Sequence, residues 1–221
     1  MTRTAFELGL DRTERRTGEL GLLVVDAIGR AMTALRTSDP QVAECVIRDD
    51  ATIDATRYAI EEEAVEIIAT QQPVARDLRL LIAILNIIVD LERMADHAKS
   101  IARIVVLDGD RQPVRPLAGL TRMAEIATSM LQDAMVALFA RDVEAARRVV
   151  ERDGAVDALC EQAYRELLAY MLQHPTAMDR CTHLIGAAHD LERIADRATN
   201  ICERVVYLVT GTTRHADVTA C

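Results

Sequence analysis

The sequence predicts an all-α protein of six helices, arranged as two tandem, repeat-related three-helix bundles. Three observations predict it. Ala, Leu, Ile, Val, Met, Glu and Arg dominate a chain that is 50% hydrophobic but has only two Phe, four Tyr and no Trp, as helix-on-helix packing prefers. Prolines punctuate long stretches of helical periodicity, and no stretch alternates as a strand with hairpin turns. The second half of the chain also repeats the first. "DLERMADHA" at 90–98 returns as "DLERIADRA" at 190–198.

Pro40, Pro73 and Pro175 each stand between helical patterns. Pro113 and Pro116 fall in "LDGDRQPVRP" (107–116), the turn-rich linker of the interior. The predicted helices span about 6–37, 40–71, 74–106, 117–140, 142–173 and 177–209. Gly9, Gly18, Gly21 and Gly29 weaken the helical signal of the first. "ALRTSDPQVAECVIRDDATID" (34–54) aligns without a gap on "ALFARDVEAARRVVERDGAVD" (137–157). Ala34, Leu35, Asp39, Asp50 and Asp54 recur as Ala137, Leu138, Asp142, Asp153 and Asp157. The expected division is an N-terminal bundle at 1–108 and a C-terminal bundle at 109–221.

The net charge of −9 repels phosphate backbones and anionic headgroups, so no nucleic-acid partner is expected. The N-terminus lacks the apolar core of a signal peptide. "LLIAILNIIV" (80–89) is too short to span a bilayer. A membrane role is expected only peripherally, through partners. Cys45, Cys160, Cys181, Cys202 and Cys221 form no CxxC pair and no zinc-site spacing, which reads as reduced thiols in the cytoplasm.

On the predicted helix at 74–106, Leu81, Leu85 and Ile88 make one stripe, and Glu92 and Asp96 continue it. Arg79, Asn86, Asp90, Arg93 and His97 lie on another side, which reads as the solvated face. The preceding helix carries Asp50 and Asp54 one turn apart. Each half therefore holds two (D/E)xxxD pairs: Asp50, Asp54, Glu92 and Asp96, then Asp153, Asp157, Glu192 and Asp196. An i,i+4 spacing puts both carboxylates of a pair on one face. An antiparallel helix pair folded at Pro73 or Pro175 can bring two such pairs together.

Four carboxylates on an apolar stripe need compensation. Arginines such as Arg57, shared protons, or divalent or trivalent cations bound by hard oxygen ligands would each supply it. Iron, manganese, magnesium and zinc all fit, singly or as multinuclear clusters. His189, one turn before Glu192, is a further candidate ligand in the second half, where the first has Val89.

The duplicated "DLER(M/I)AD" phrase resembles the signature of the PhoU family. So do "IEEEAVEIIATQQPVARDLR" (60–79) and the N-terminal "AFELGLDRTERRTGELGLLVVDAIGRAMTAL". The resemblance covers nearly the whole chain and implies the same six-helix architecture. It implies metal binding through the eight carboxylates named above. It further implies a cytoplasmic negative regulator of phosphate uptake that links the ATPase subunit of a phosphate ABC transporter to a sensor histidine kinase, and it admits a homodimer. Ala95 and Ala195 replace a Gly common in the family, Arg197 replaces its His, and Lys99 continues the first stripe. These departures imply unequal occupancy of the two sites. The exposed charges Arg93, His97, Arg193 and Arg197 are candidate partner surfaces.

Two other readings compete. A carboxylate-bridged di-metal enzyme needs Glu-x-x-His pairs, and no Glu here is followed by His at that spacing. No Gly-rich phosphate loop, HExxH or GxSxG occurs, so no enzyme is expected. A metal-free interaction module of the co-chaperone bundle type would use the same carboxylates for recognition or pairing.

Overall fold

The computed structural model describes residues 3–109 and 118–212, with side chains from residue 6 onward. The helices are α1 (Arg3–Thr37), α2 (Pro40–Gln71), α3 (Ala75–Asp108), α4 (Ala118–Ala140), α5 (Val143–Val150), α6 (Asp153–Gln173) and α7 (Met178–Thr210), with a 3₁₀ turn at Pro175–Ala177 before the last. No strand occurs among the described residues. Most of the expected linker, residues 110–117, lies outside them, as does Cys221.

The repeat is visible in local chemistry. Asp39 caps α2 by accepting from the Gln41 and Val42 amides, and Asp142 caps α5 by accepting from the Ala145 amide. Each cap follows a residue with positive φ, Ser38 (53°) and Arg141 (55°). In both copies the cap amide returns to a carbonyl five residues back, Ala34 or Ala137, at 3.1 and 3.0 Å. A turn that reverses the chain is thus written identically twice.

The fifth predicted helix is divided. Residues 151–152 form a turn between α5 and α6. There the Arg152 amide reaches Val149 and the Ala155 amide reaches Arg152, three-residue steps that tighten the chain. Gly154 stands where the first half has Ala51, a residue that favours uninterrupted helix. The glycines of α1 do not break it. Gly18 and Gly21 instead let α1 approach α4, since a β-carbon would stand 2.8 Å from the Phe139 ring at Gly18 and 3.2 Å from Met135 at Gly21.

α1–α3 pack together, and α4–α7 pack together. The most extensive pairing joins the halves, α3 against α7. The two helices run antiparallel: His183 near the start of α7 bonds Asp108 at the end of α3 (2.8 Å), and Gly211 beyond α7 lies against Arg79 near the start of α3. One hydrophobic cluster runs through both halves and includes Leu91, Met94, Leu191 and Ile194. α4 is long and apolar enough to cross a membrane, but half of that stretch is buried inside the fold.

The side of α3 expected to be solvated is this seam. Asp90 is buried and accepts from Arg197 and Asn200, each at 3.4 Å. His97 Nδ1 lies 2.9 Å from Asp190 Oδ1. Among the candidate partner charges Arg93, His97, Arg193 and Arg197, only Arg93 and Arg193 are exposed. Because the core is continuous across the seam, thermal unfolding should be a single cooperative transition. Leu91→Ala should lower the unfolding free energy by about 2–5 kcal/mol in denaturant titration, with an unchanged denaturant slope. Two separate transitions in calorimetry would show that the halves unfold independently.

Candidate metal centre

In the signature phrase, the first and eighth residues are two turns apart and share the seam. The third and seventh residues, Glu92 and Asp96 or Glu192 and Asp196, sit roughly 130° away around the helix. They face α2 in one half and α6 in the other. Asp50 and Asp54 on α2, and Asp153 and Asp157 on α6, complete two tetrads. Mutual repulsion links Asp54 with Asp50 and Asp96, Glu92 with Asp96 and Asp54, and Asp153 with Asp157, Asp196 and Glu192. All eight carboxylates predicted from sequence therefore gather into two clusters of four.

They are less buried than the stripe suggested. Asp50 is buried, Asp54, Glu92, Asp153 and Glu192 are half-buried, and Asp96, Asp157 and Asp196 are exposed. Each tetrad sits at the rim of a helix pair, open to solvent on one side.

The tetrads differ in what neutralises them. In the first, Lys99 donates to Asp50 and lies 3.7 Å from Asp96. The bond to Asp50 holds the Lys99 ammonium above its ordinary pKa. Arg57, held by Glu61 at 2.8 Å, adds a second cation that acts on Glu92 and Asp54. Desolvation still pushes Asp54 and Glu92 up.

Neither cation exists in the second tetrad. Thr199 replaces Lys99 and spends its hydroxyl on the Asp196 carbonyl at 2.7 Å. Cys160 replaces Arg57. Arg197 points to Asp90 in the seam, although its charge still favours ionised Asp196. Burial, then repulsion from Asp157, Asp196 and Glu192, pushes the Asp153 carboxyl up to about 6. Burial and the Glu192 charge push Asp196 up as well. Among the described residues, Asp153 Oδ1 is the buried carboxylate oxygen that accepts no hydrogen bond. An orphaned carboxylate oxygen that feels three neighbouring acids fits a hard cation.

Cys160 is a residue that sequence reasoning left among inert core thiols. Its Sγ lies 3.8 Å from Glu192 Oε2 and 3.9 Å from His189 Nδ1, and His189 Nδ1 lies 3.1 Å from the same Glu192 oxygen. The signal was present in the repeat register, which places Cys160 at the position of Arg57. Burial and Glu192 push the Cys160 thiol up to about 11.

The PhoU domain model matches residues 17–105 and again 120–205, one copy in each half. The chain belongs to the PhoU family. It is 37% identical over 209 residues to the phosphate-specific transport system accessory protein PhoU homolog of Rhizobium meliloti, covering 94% of this chain and 88% of that one. The homolog of Aquifex aeolicus is 38% identical over 202 residues, covering 91% of each chain. The crystal structure of the phosphate transport system regulatory protein PhoU from Streptococcus pneumoniae superposes with a TM-score of 0.88 at 32% identity, over 95% of this chain and 99% of that one. PhoU from Pseudomonas aeruginosa gives 0.89 at 35% identity, over 94% and 100%. The fold described above is therefore shared with these two PhoU crystal structures over nearly their whole length.

The Asp153 environment sets a pH dependence. An acid whose folded pKa is raised above its unfolded value of about 3.9 costs the fold stability above that folded pKa, and the cost is relieved as pH falls. In chelator, Asp153→Asn should melt higher than the parent protein at pH 7.5. The advantage should shrink as pH falls through about 6, where the parent Asp153 takes up its own proton. A melting difference that stays constant from pH 7.5 to 5 would show that Asp153 is not strained in the native protein.

Proposed function

We propose that this PhoU-family chain is a cytoplasmic regulatory accessory of a phosphate-specific transport system, working by contact rather than by catalysis. It would hold phosphate-starvation genes off while phosphate is plentiful, joining the transporter's ATPase subunit to a membrane sensor histidine kinase. The observation that carries the reading is the match of both PhoU copies, together with full-length relatives whose names place them in phosphate transport. The charge of −9 and the helical surface suit an adaptor that meets protein partners.

Metal binding is the second element of the proposal. Asp153, Asp157, Glu192 and Asp196 would hold one or more hard cations, iron, manganese or magnesium, in the second half. The cation would supply positive charge beside Asp153, whose buried Oδ1 accepts no hydrogen bond among the described residues. In the first half Lys99 and Arg57 already do this for Asp50, Asp54, Glu92 and Asp96, which favours a metal-free, structural role for that tetrad. Cation access there would require Lys99 to leave.

The exposed ends of Arg93 and Arg193 remain as partner-facing charge on either side of the seam, whereas His97 and Arg197 are committed to seam bonds.

Deleting the gene should switch on a phosphate-starvation reporter in phosphate-rich medium, and restoring the gene should silence it. A silent reporter in the deletion strain would end the regulatory reading. Charge reversal at Arg93 and Arg193 should reproduce the deletion with the melting temperature unchanged.

For the metal, chelation should lower the melting temperature and Mn²⁺ should restore it. The gain is about 2.7 kcal/mol when free Mn²⁺ is a hundredfold above its dissociation constant. Elemental analysis should show metal lost in Glu192→Gln/Asp196→Asn and retained in Glu92→Gln/Asp96→Asn. Equal loss in both would put metal in both halves.

A further inference from the structure

We propose that Cys160, His189 and Glu192 form a mixed sulfur–nitrogen–oxygen site for one borderline divalent cation of the Zn²⁺ class, set at the edge of the second carboxylate tetrad. The inference rests on the second half being a cation site, and it adds a ligand chemistry that carboxylates alone do not provide.

The geometry carries it. The ligand atoms of the three residues lie within 4.8 Å of one another. Their separations are 3.9 Å for sulfur to nitrogen, 3.8 Å for sulfur to oxygen and 3.1 Å for nitrogen to oxygen. A tetrahedral cation with bonds of about 2.3 Å to sulfur and 2.0–2.2 Å to nitrogen and oxygen spaces such atoms about 3.4–3.6 Å apart. Movements of a few tenths of an ångström would close the triangle. His189 and Glu192 are one turn apart on α7, and Cys160 faces them from α6, so two packed helices fix all three.

Comparison of the halves shows that this donor set is not a by-product of the fold. The first half has Arg57, Val89 and Glu92 at the same places. Arg57 and Val89 offer a metal no donor at these places; a thiol and an imidazole here offer two. Cys160 is 6% exposed, so its sulfur is shielded from solvent. His189 and Glu192 are 57% and 34% exposed, which leaves the outer side of the triangle open to an incoming ion and to a fourth ligand from water.

The charges also balance. As the sulfur–metal bond forms, the Cys160 proton leaves to water. The thiolate and the Glu192 carboxylate then cancel the two positive charges, while His189 binds as the neutral ring. A neutral cluster is what a half-buried location tolerates. Thiolate and imidazole together select Zn²⁺ or Co²⁺ over Mg²⁺ and Mn²⁺, which prefer an all-oxygen shell.

The probe is Co²⁺ added to the chelator-treated full-length protein under reducing conditions, with Mn²⁺ binding measured in parallel. One equivalent of Co²⁺ should produce a near-ultraviolet thiolate-to-cobalt band with visible bands of tetrahedral intensity, and Zn²⁺ should bleach both. Cys160→Ser should abolish the thiolate band and weaken Zn²⁺ binding about tenfold or more, since even outer-sphere changes at zinc sites cost that much. His189→Gln alters an exposed residue that the fold does not need. It should shift the bands and weaken Zn²⁺ similarly, which keeps the test decisive if Cys160→Ser fails to fold. Absence of the thiolate band in a protein that still binds Mn²⁺ would overturn the mixed site and leave the carboxylate centre standing. A band that survives in Cys160→Ser would place the thiolate at another cysteine and overturn it too. Failure to bind either ion would overturn both.

Discussion

The antiparallel contact between α3 and α7 is the constraint on which the rest of the molecule depends. Each helix carries one copy of the nine-residue phrase, and each copy locks onto the other. The first residue of one phrase bonds the eighth of its partner: Asp90 to Arg197, and Asp190 to His97. Between these polar bonds, Leu91, Met94, Ala95 and Ala98 and their repeats Leu191, Ile194, Ala195 and Ala198 are all buried. The burial pattern along 91–100 is the same, residue for residue, as along 191–200. Once the seam fixes the rotation of both helices, the helical period decides where the third and seventh residues point. They point away from the seam, toward α2 and α6, where the other four acids stand.

One scaffold thus presents the same four carboxylates twice, and the neighbours decide what each set can do. Taking carboxylates partly out of water is costly unless a cation or hydrogen-bond donors meet them. The first half supplies its own cations: Lys99 pairs with Asp50 and Asp96, and the Arg57 charge acts on Asp54 and Glu92. The second half replaced both, with Thr199 and Cys160, and placed His189 where the first has Val89. The unmet acceptor on Asp153 and its pKa near 6 are the physical trace of that replacement. The two halves thus share their acids and differ in the cations that stand beside them.

Much of this was legible in the sequence because its signals are local. Prolines and helical periodicity place helix ends to within about three residues, and the recurring Asp39 and Asp142 prove to cap two of them. The (D/E)xxxD spacing placed all eight carboxylates, since two residues one turn apart share a face whatever packs beside them. Three features were not legible, each for a tertiary reason. The charged side of α3 looked solvated because nothing within one helix says that another charged helix will cover it. The turn at 151–152 depends on Gly154 and on tighter hydrogen bonds that periodicity does not register. Cys160 was dismissed because zinc spacing was sought along the chain, while its partners His189 and Glu192 come from a different helix. The repeat register held that signal: a cysteine standing where the other copy needs an arginine is under a different demand.

The central claim is that the two tetrads, alike in their acids, differ in their need for an external cation. Anomalous diffraction from crystals grown with Mn²⁺ tests it most directly, since it locates each ion without perturbing a residue. The account predicts a strong anomalous peak among Asp153, Asp157, Glu192 and Asp196, and at the first tetrad only the Lys99 ammonium between Asp50 and Asp96. Equal peaks in both tetrads, with Lys99 turned out to solvent, would contradict it.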